Sequence, residues 1–381
     1  RQGVGERRFF KLALNWFLKN HKEDLIKYID YIPTYSRWDV TFDLATKDKD
    51  VLDWLCANIS EYSNTTFGRL LFKWLPRKKQ YNNLAKHIRN KLNLTPKEYR
   101  QLLVKNTLVV EQKMCKKEWS EIEYSVVPSV AMHKYNKAWY RNDKERFEGY
   151  LEKVKSGKSK INASAIFPHD IIKHCVGYSF GKLSEAEILQ WENLPNYLNG
   201  RKNSILPVCD VSGSMFGLPM QICIALGLYI SERNEGAFKD AFITFSQNPK
   251  MNYLKGDINS RLKQLSNADW GMNTDLEAVF RALLNKAVEN NLTQEELPET
   301  LLIMSDMEFD TACSNNNKNN FEVAKQMYES YGYKLPKIVF WNLNGRVGNV
   351  PITVNDTGVA LVSGASPSIL KSILSSILIA P

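Results

Sequence analysis

A short polar segment that follows an apolar run constrains the fold of this chain more than any other feature. The apolar run is Ile205–Cys209, and the segment after it reads Asp210-Val211-Ser212-Gly213-Ser214. If the run is a buried strand, one carboxylate and two hydroxyls follow it at alternate positions, from which their oxygens can face a common point. Hard oxygen ligands of this kind suit a hard divalent cation, Mg²⁺ or Mn²⁺.

Two later positions complete a predicted cation site. One lies before a helical pattern and the other follows a second apolar run at 301–305. The predicted metal ligands are three hydroxyls and two carboxylates, those of Asp210, Ser212, Ser214, Thr274 and Asp306. A loop in which Asp and Ser only cap a helix is the alternative interpretation of the first segment. That alternative does not explain why matching residues also follow a separate predicted strand.

Strand and helix patterns alternate after residue 200. Strands are predicted at 204–210, 240–245, 250–254, 300–305, 337–342 and 358–363, and helices at 218–234, 258–267, 275–290, 319–332 and 367–378. This alternation predicts a doubly wound, mostly parallel sheet. Ligands of such sheets bind at the carboxyl ends of the strands, which is where Asp210 and Asp306 fall.

The first part of the chain is predicted to be helical. Helical periodicity occurs at 9–28, 51–60, 67–75, 81–92, 96–118 and 144–154. Turn-forming residues between 183 and 200 mark the end of this part. We therefore predict a multi-domain α + α/β fold class, with a basic helical-repeat domain of the HEAT kind over residues 1–195 and an α/β domain over residues 200–381.

Basic residues are concentrated in the first half of the chain. Residues 1–200 contain 35 Lys and Arg against 23 Asp and Glu, whereas residues 201–381 contain 16 against 18. Aromatic residues interleave with the basic ones at 71–105, a combination that binds single-stranded RNA through phosphate contacts and base stacking. The candidate RNA-binding residues are Lys78, Lys79, Arg89 and Arg100. Solvated lysine-rich helices whose rings face the core give the same pattern, so both interpretations stay open.

The residues after Cys209 argue against several enzyme classes. A phosphatase of the haloacid dehalogenase type needs a second Asp two residues after the first, where this chain has Ser212. Neither a phosphate-binding Gly-Lys-Ser/Thr loop nor a GxGxxG motif follows the predicted strand. All five histidines precede residue 175, so the second half has no His to act as a general base. We predict a non-enzymatic protein, with metal-assisted hydrolysis as the weaker alternative.

The composition also indicates the cellular compartment in which the protein acts. The sequence has no run of 18 apolar residues, so no membrane span and no membrane partner are predicted. Its six cysteines include no CxxC pair, which disfavours both a disulfide scaffold and a zinc site. These features predict a reducing, cytoplasmic compartment.

The order Asp-x-Ser-x-Ser, then Thr, then Asp resembles the metal-ion-dependent adhesion site of von Willebrand factor A (vWA) domains. All five positions of that pattern match in this sequence. The resemblance implies a vWA domain that binds Mg²⁺ and takes its sixth ligand from an acidic side chain of a protein partner.

A basic helical part followed by such a domain resembles the Ro autoantigen (TROVE) proteins. It looks still more like a less characterised family with the same two-part plan in plants, microbes and large DNA viruses, through the segments 119–129, 141–147 and 338–343. The resemblance implies a Ro-like ribonucleoprotein component that binds small noncoding or structured RNA with its helical part. The alternative function is a metal-dependent interaction module that binds an acidic residue of a protein partner.

Overall fold

The structure, a computed structural model, describes residues 8–63, 65, 68–77, 82–107, 109–176, 181–198, 205–244, 249–268, 276–306, 317–344, 359–364, 366 and 369–374. These residues belong to two compact units, of which the first ends at Glu123 and the second begins at Tyr124. None of the helices in these ranges has the length and apolarity that crossing a bilayer requires.

The first unit is built from short helices around one apolar core. Its helices are α1 Arg8–Asn20, α2 Lys22–Lys27, α3 Tyr31–Tyr35, α4 Trp38–Ala45, α5 Lys49–Glu61, α6 Gly68–Trp74, α7 Asn82–Lys91, α8 Pro96–Asn106 and α9 Val110–Lys116. The periodicity at 9–28 divides into α1 and α2 because His21 leaves the helical conformation, with φ −142° and ψ 53°. α8 begins at Pro96, where Thr95 and Glu98 form a capping box.

The second unit contains the sheet and the helices that cover it. Its helices are α10 Ser129–Asn142, α11 Lys144–Lys155, α12 Pro168–Ile172, α13 Glu185–Glu192, α14 Leu218–Arg233, α15 Ile258–Ser266, α16 Leu276–Glu289, α17 Asn317–Ser330 and α18 Ile369–Leu374. Its strands are β1 Ile205–Cys209, β2 Ala241–Thr244, β3 Met251–Tyr253, β4 Thr300–Ser305, β5 Lys337–Asn342 and β6 Val359–Ser363.

The strand order is β3-β2-β1-β4-β5-β6, and every neighbouring pair is parallel except β2 with β3. The chain builds the sheet from β1 through β2 to β3 on one side and then crosses to β4 on the other side. The topological switch point therefore lies between β1 and β4, where doubly wound sheets bind their ligands. The predicted α + α/β fold class is confirmed.

Alternate residues of the strands face two separate cores, as the pleat of a strand requires. Cys209, Met304 and Trp341 face a core that includes α14, α15 and α18, and side chains from residues 163–198 join it. Their neighbours Val208 and Ile303 face the opposite core, formed with α16 and α17. Both faces of β1, β2, β4 and β5 are covered, which explains why these strands are mostly apolar runs.

Gly227 lets α14 pack closely on the end of β1 that leads into Asp210. A Cβ at Gly227 would lie 2.6 Å from Cys209 Sγ and 3.4 Å from Leu265 Cδ1, and Cys209 is fully buried. Since neither neighbour has free space to move into, only a residue without a side chain fits at this point of α14.

We expect Gly227→Ala to destabilise the second unit and Gly149→Ala to stabilise it. Overpacking at Gly227 should lower the free energy of unfolding by about 1–3 kcal/mol. At Gly149, which lies in the middle of α11, an added Cβ meets no described atom within 4 Å, so the better helix propensity of Ala should add up to about 1 kcal/mol. Urea denaturation measures both changes, and equal effects at the two sites would contradict the close approach of α14 to β1.

Candidate functional site

The carboxyl ends of β1 and β4 place two acidic residues next to each other. The two strands pair in parallel with Cys209 opposite Met304, and the Asp210 N–H continues the ladder by donating to the Met304 carbonyl at 3.0 Å. Asp306 follows the last residue of β4, and both acidic residues are only 2 % exposed. Two distant segments of the sequence therefore meet at the switch point of the sheet.

Hydrogen bonds fix the orientation of the Asp210 carboxylate. Its Oδ1 accepts from the Ser212 N–H at 2.9 Å, and its Oδ2 accepts from the Ser305 hydroxyl at 2.6 Å. Ser305 is fully buried in β4 and was not among the predicted site residues. Each carboxylate oxygen also has lone pairs beyond the one that accepts the hydrogen bond, and these remain available to a cation.

The two serine hydroxyls of the segment lie side by side. Ser212 Oγ and Ser214 Oγ are 3.1 Å apart, and Ser214 is exposed whereas Asp210 is buried. In an octahedral Mg²⁺ shell with metal–oxygen distances of about 2.1 Å, neighbouring oxygens lie about 3 Å apart. The spacing of the hydroxyls therefore fits two adjacent ligands of Mg²⁺, on the side of the site that solvent can reach.

Gly217 follows the segment that carries Ser212 and Ser214. Gly217 has φ 95° and ψ −134°, a conformation that residues with a side chain rarely adopt. It connects the short 3₁₀ turn Gly213–Met215 to α14, which begins at Leu218. The segment can therefore turn sharply enough to keep both serines beside the end of β1.

The electrostatics of the pair favour a positive ligand. Burial raises the pKa of Asp210 above its ordinary value, and the negative charge of Asp306 raises it further. The hydrogen bonds from Ser305 and Ser212 oppose this effect by stabilising the ionised form. A divalent cation between the carboxylates would relieve both their repulsion and the cost of their burial.

The structure thus brings together Asp210, Ser212 and Ser214, with Asp306 close enough to influence the titration of Asp210. Thr274 lies outside the described residues. Within the described ranges, no group of three or more His, Cys, Asp and Glu side chains is arranged to hold a metal ion. Among the described residues, the oxygens that accompany the two carboxylates are the hydroxyls of Ser212 and Ser214, a donor set that suits Mg²⁺ or Mn²⁺ better than zinc.

Of the predicted RNA-binding residues, Lys78 and Lys79 lie outside the described residues. Arg89 is half-buried on α7, where its Nε donates to the Ala85 carbonyl at 3.3 Å. Arg100 is exposed on α8. Arg100 is therefore better placed than Arg89 to contact a phosphate.

The aromatic residues between the basic ones differ in exposure. Tyr99 is buried, and its hydroxyl donates to the Pro76 carbonyl at 3.0 Å. Trp74 is 44 % exposed, but the Arg37 guanidinium lies 4.7 Å from the centroid of its ring. Tyr99 is thus part of the core, and Arg37 already covers one face of Trp74.

Two family models match the chain. The model of a domain of unknown function (DUF2828) matches residues 49–200, and that of a second domain of unknown function (DUF7788) matches residues 203–379. The models therefore meet near residue 200, whereas the compact units divide after Glu123. The domain boundary predicted at 195–200 stays a prediction.

The chain is similar to a curated viral protein and to several solved structures. It is 30 % identical over 428 residues to "Uncharacterized protein L728" of Acanthamoeba polyphaga mimivirus, covering 98 % of this chain and 74 % of the relative. It is 14 % identical to the Ro (RSR) protein of Deinococcus radiodurans, with a TM-score of 0.48 over 97 % of this chain and 84 % of that one. It is 13 % identical to proximal thread matrix protein 1 from the mussel byssus, with a TM-score of 0.31 over 46 % of each chain.

We expect Asp210→Asn to abolish stabilisation by Mg²⁺ without destabilising the metal-free protein. An Asn can accept from the Ser212 N–H and donate to Ser305 Oγ, and it removes the repulsion with Asp306. Thermal unfolding with and without saturating MgCl₂, at constant ionic strength, measures the effect. The wild-type protein should gain about 2.7 kcal/mol at 100 times the dissociation constant.

Asp257→Asn is the matched control for this measurement. Asp257 is the N-cap of α15, where it accepts from the Ser260 N–H at 2.9 Å, and the substitution removes the same charge. This variant should keep the full response to Mg²⁺. An equal response of the Asp210→Asn protein would contradict a cation site at the end of β1.

Proposed function

The chain belongs to the family of Uncharacterized protein L728 from Acanthamoeba polyphaga mimivirus, and we propose that it is a non-enzymatic, Ro-like RNA-binding protein with a divalent-cation site. The basic helical part would bind the phosphates of a small noncoding or structured RNA within a ribonucleoprotein. The second half would hold Mg²⁺ or Mn²⁺. The absence of histidine from the sequence of that half supports a binding role rather than acid–base catalysis.

The observation that carries the RNA proposal is the charge of the segment that contains α6, α7 and α8. Residues 68–107 contain 11 Lys and Arg and a single acidic residue, Glu98. The Glu98 carboxylate accepts a hydrogen bond of 2.8 Å from the Thr95 N–H at the start of α8. The only acidic side chain among residues 68–107 therefore binds the backbone at the start of α8.

Part of this positive charge is available at the surface. Lys73 pairs with Glu111, and Lys91 pairs with Asp53. No ion pair joins the remaining exposed cations of α7 and α8 to an acidic side chain of the described residues; these cations are Lys86, Lys97, Arg100 and Lys105. Cations without an acidic partner are those that gain most from contact with a phosphate.

The cation would be held at the end of the central strands. Asp210, Ser212, Ser214 and Asp306 would supply oxygens, together with Thr274, which lies outside the described residues. The metal would add a positive charge with an open coordination position at the surface. The buried carboxylates would offset part of the charge of the metal. Mg²⁺ or Mn²⁺ would still prefer an oxygen ligand at the open position.

We expect RNA binding to weaken steeply with salt and to depend on α8. Lys97→Gln combined with Arg100→Gln should lower the affinity and reduce the slope of log K against log salt by about 0.7 for each single-strand phosphate that the variant no longer neutralises. Gel-shift titrations over a salt series measure both quantities. Lys263→Gln combined with Lys325→Gln removes the same charge from exposed positions on α15 and α17 and should leave the slope unchanged. Absence of RNA binding at low salt would contradict the proposal.

A protein ligand at the cation site is the second candidate function, and the surroundings of the site favour it. Phe216 and Leu218 follow Ser214 closely in the sequence and are 64 % and 56 % exposed. Large apolar side chains at such positions are typical of surfaces that contact another protein. An acidic side chain of a partner could reach the metal while apolar neighbours contact Phe216 and Leu218.

We expect an immobilised peptide with one central Asp between apolar residues to retain the protein in the presence of Mg²⁺ and to release it when EDTA is added. The carboxylate would supply the missing metal ligand, so a peptide with Asn in its place should not bind. Surface plasmon resonance measures both peptides. Equal retention of the Asp210→Asn protein would rule out capture by the metal.

A further inference from the structure

Three tyrosines of the first unit form an exposed row of rings, here called the tyrosine ladder. Tyr28 directly follows α2, and Tyr31 and Tyr35 are the first and last residues of α3. Their exposed fractions are 54 %, 57 % and 77 %. The ring centroids of Tyr28 and Tyr31 are 6.4 Å apart, and those of Tyr31 and Tyr35 are 6.2 Å apart.

The sequence holds the tyrosine ladder on a rigid support. The spacing of three and then four residues places the three rings on one side of a helical segment. Ile29 and Ile32, which lie between them in the sequence, are 1 % and 5 % exposed and belong to the core of the first unit. The rings are therefore presented by a backbone that the core fixes, and they need little ordering when a ligand binds.

Two of the rings lie nearly parallel. The Tyr31 and Tyr35 ring centroids are 6.2 Å apart and their planes are tilted by 25° from one another. Exposed aromatic rings of this kind can stack on the faces of unpaired bases.

One cation lies beside the rings. The Lys27 ammonium lies 5.3 Å from the centroid of the Tyr28 ring. Residues 22–35, which carry the tyrosine ladder, contain two Lys against three Asp and Glu, and Lys22 is paired with Asp48 and Asp50. The tyrosine ladder therefore offers stacking faces rather than phosphate contacts, and a nucleic acid would gain there through its bases.

We propose that the tyrosine ladder stacks the unpaired bases of single-stranded RNA. This inference rests on the proposed RNA binding and adds a preference for segments whose bases are free. A duplex keeps its base faces within its own stack, so the rings cannot reach them. The basic surface of α7 and α8 needs only phosphates, so the two surfaces recognise different features of the same ligand.

Fluorescence anisotropy with a labelled oligouridine and with an abasic strand of equal length separates stacking from phosphate contact. The wild-type protein should bind the oligouridine more tightly than the abasic strand. Tyr31→Ala should weaken oligouridine binding by roughly 5- to 100-fold and leave abasic-strand binding unchanged. Tyr31→Phe, which keeps the ring, should bind like the wild-type protein.

Tyr331→Ala is the matched control, because Tyr331 is 59 % exposed and lies in the second unit. It should leave both affinities unchanged. Equal wild-type affinity for the two strands would overturn the stacking inference while leaving phosphate-driven RNA binding intact. Failure of the wild-type protein to bind either strand at low salt would overturn both. Self-association that Tyr31→Ala abolishes, with oligouridine affinity unchanged, would assign the ladder to a second copy of the chain and overturn the inference.

Discussion

The parallel pairing of β1 with β4 is the constraint on which the candidate site depends. It brings Asp210 to the end of β4, where Ser305 donates to its carboxylate and where burial, together with the charge of Asp306, raises its pKa. Because helices cover both faces of these central strands, the two carboxylates are buried where their repulsion is poorly screened. A purely structural role would be served at lower cost by amide or apolar side chains. The proposed cation would offset the cost of burying two carboxylates beside two hydroxyls.

The second half of the fold could be predicted closely because its inner strands β1, β2, β4 and β5 are covered on both faces. Such strands are short apolar runs bounded by turn formers, and the predicted bounds of β1 to β6 agree with the structure to within one residue at each end. The position of Asp210 after β1 follows from the same pattern. The role of Ser305 does not, because it lies within the apolar run of β4 and has the sequence appearance of an ordinary strand residue. Only the register of β4 against β1 brings its hydroxyl to Asp210.

The first half was less predictable, for a physical reason that α4 illustrates. α4 is absent from the predicted helices because Trp38, Val40, Phe42 and Leu44 alternate with other residues, as they would in a strand. In the structure most of α4 is buried, including Thr41 and Ala45. The polar face of α4 is narrow, formed by the partly exposed Asp39 and Asp43, so it marks the helical period only weakly. The aromatic residues pose the same problem, since spacing alone does not separate the buried Tyr99 from the exposed Tyr31.

The chemistry of the two halves indicates that RNA and a protein ligand need not compete for one surface. An open position on Mg²⁺ accepts a phosphate oxygen as readily as a carboxylate, so the metal alone does not select between them. The neighbours of a bound metal would select, because apolar Phe216 and Leu218 cannot neutralise the further charges of a phosphate backbone. The cations of α7 and α8 could do so. Under the two proposals, phosphates would bind to the first unit and an acidic side chain with apolar neighbours to the second, so both proposals can hold for one molecule.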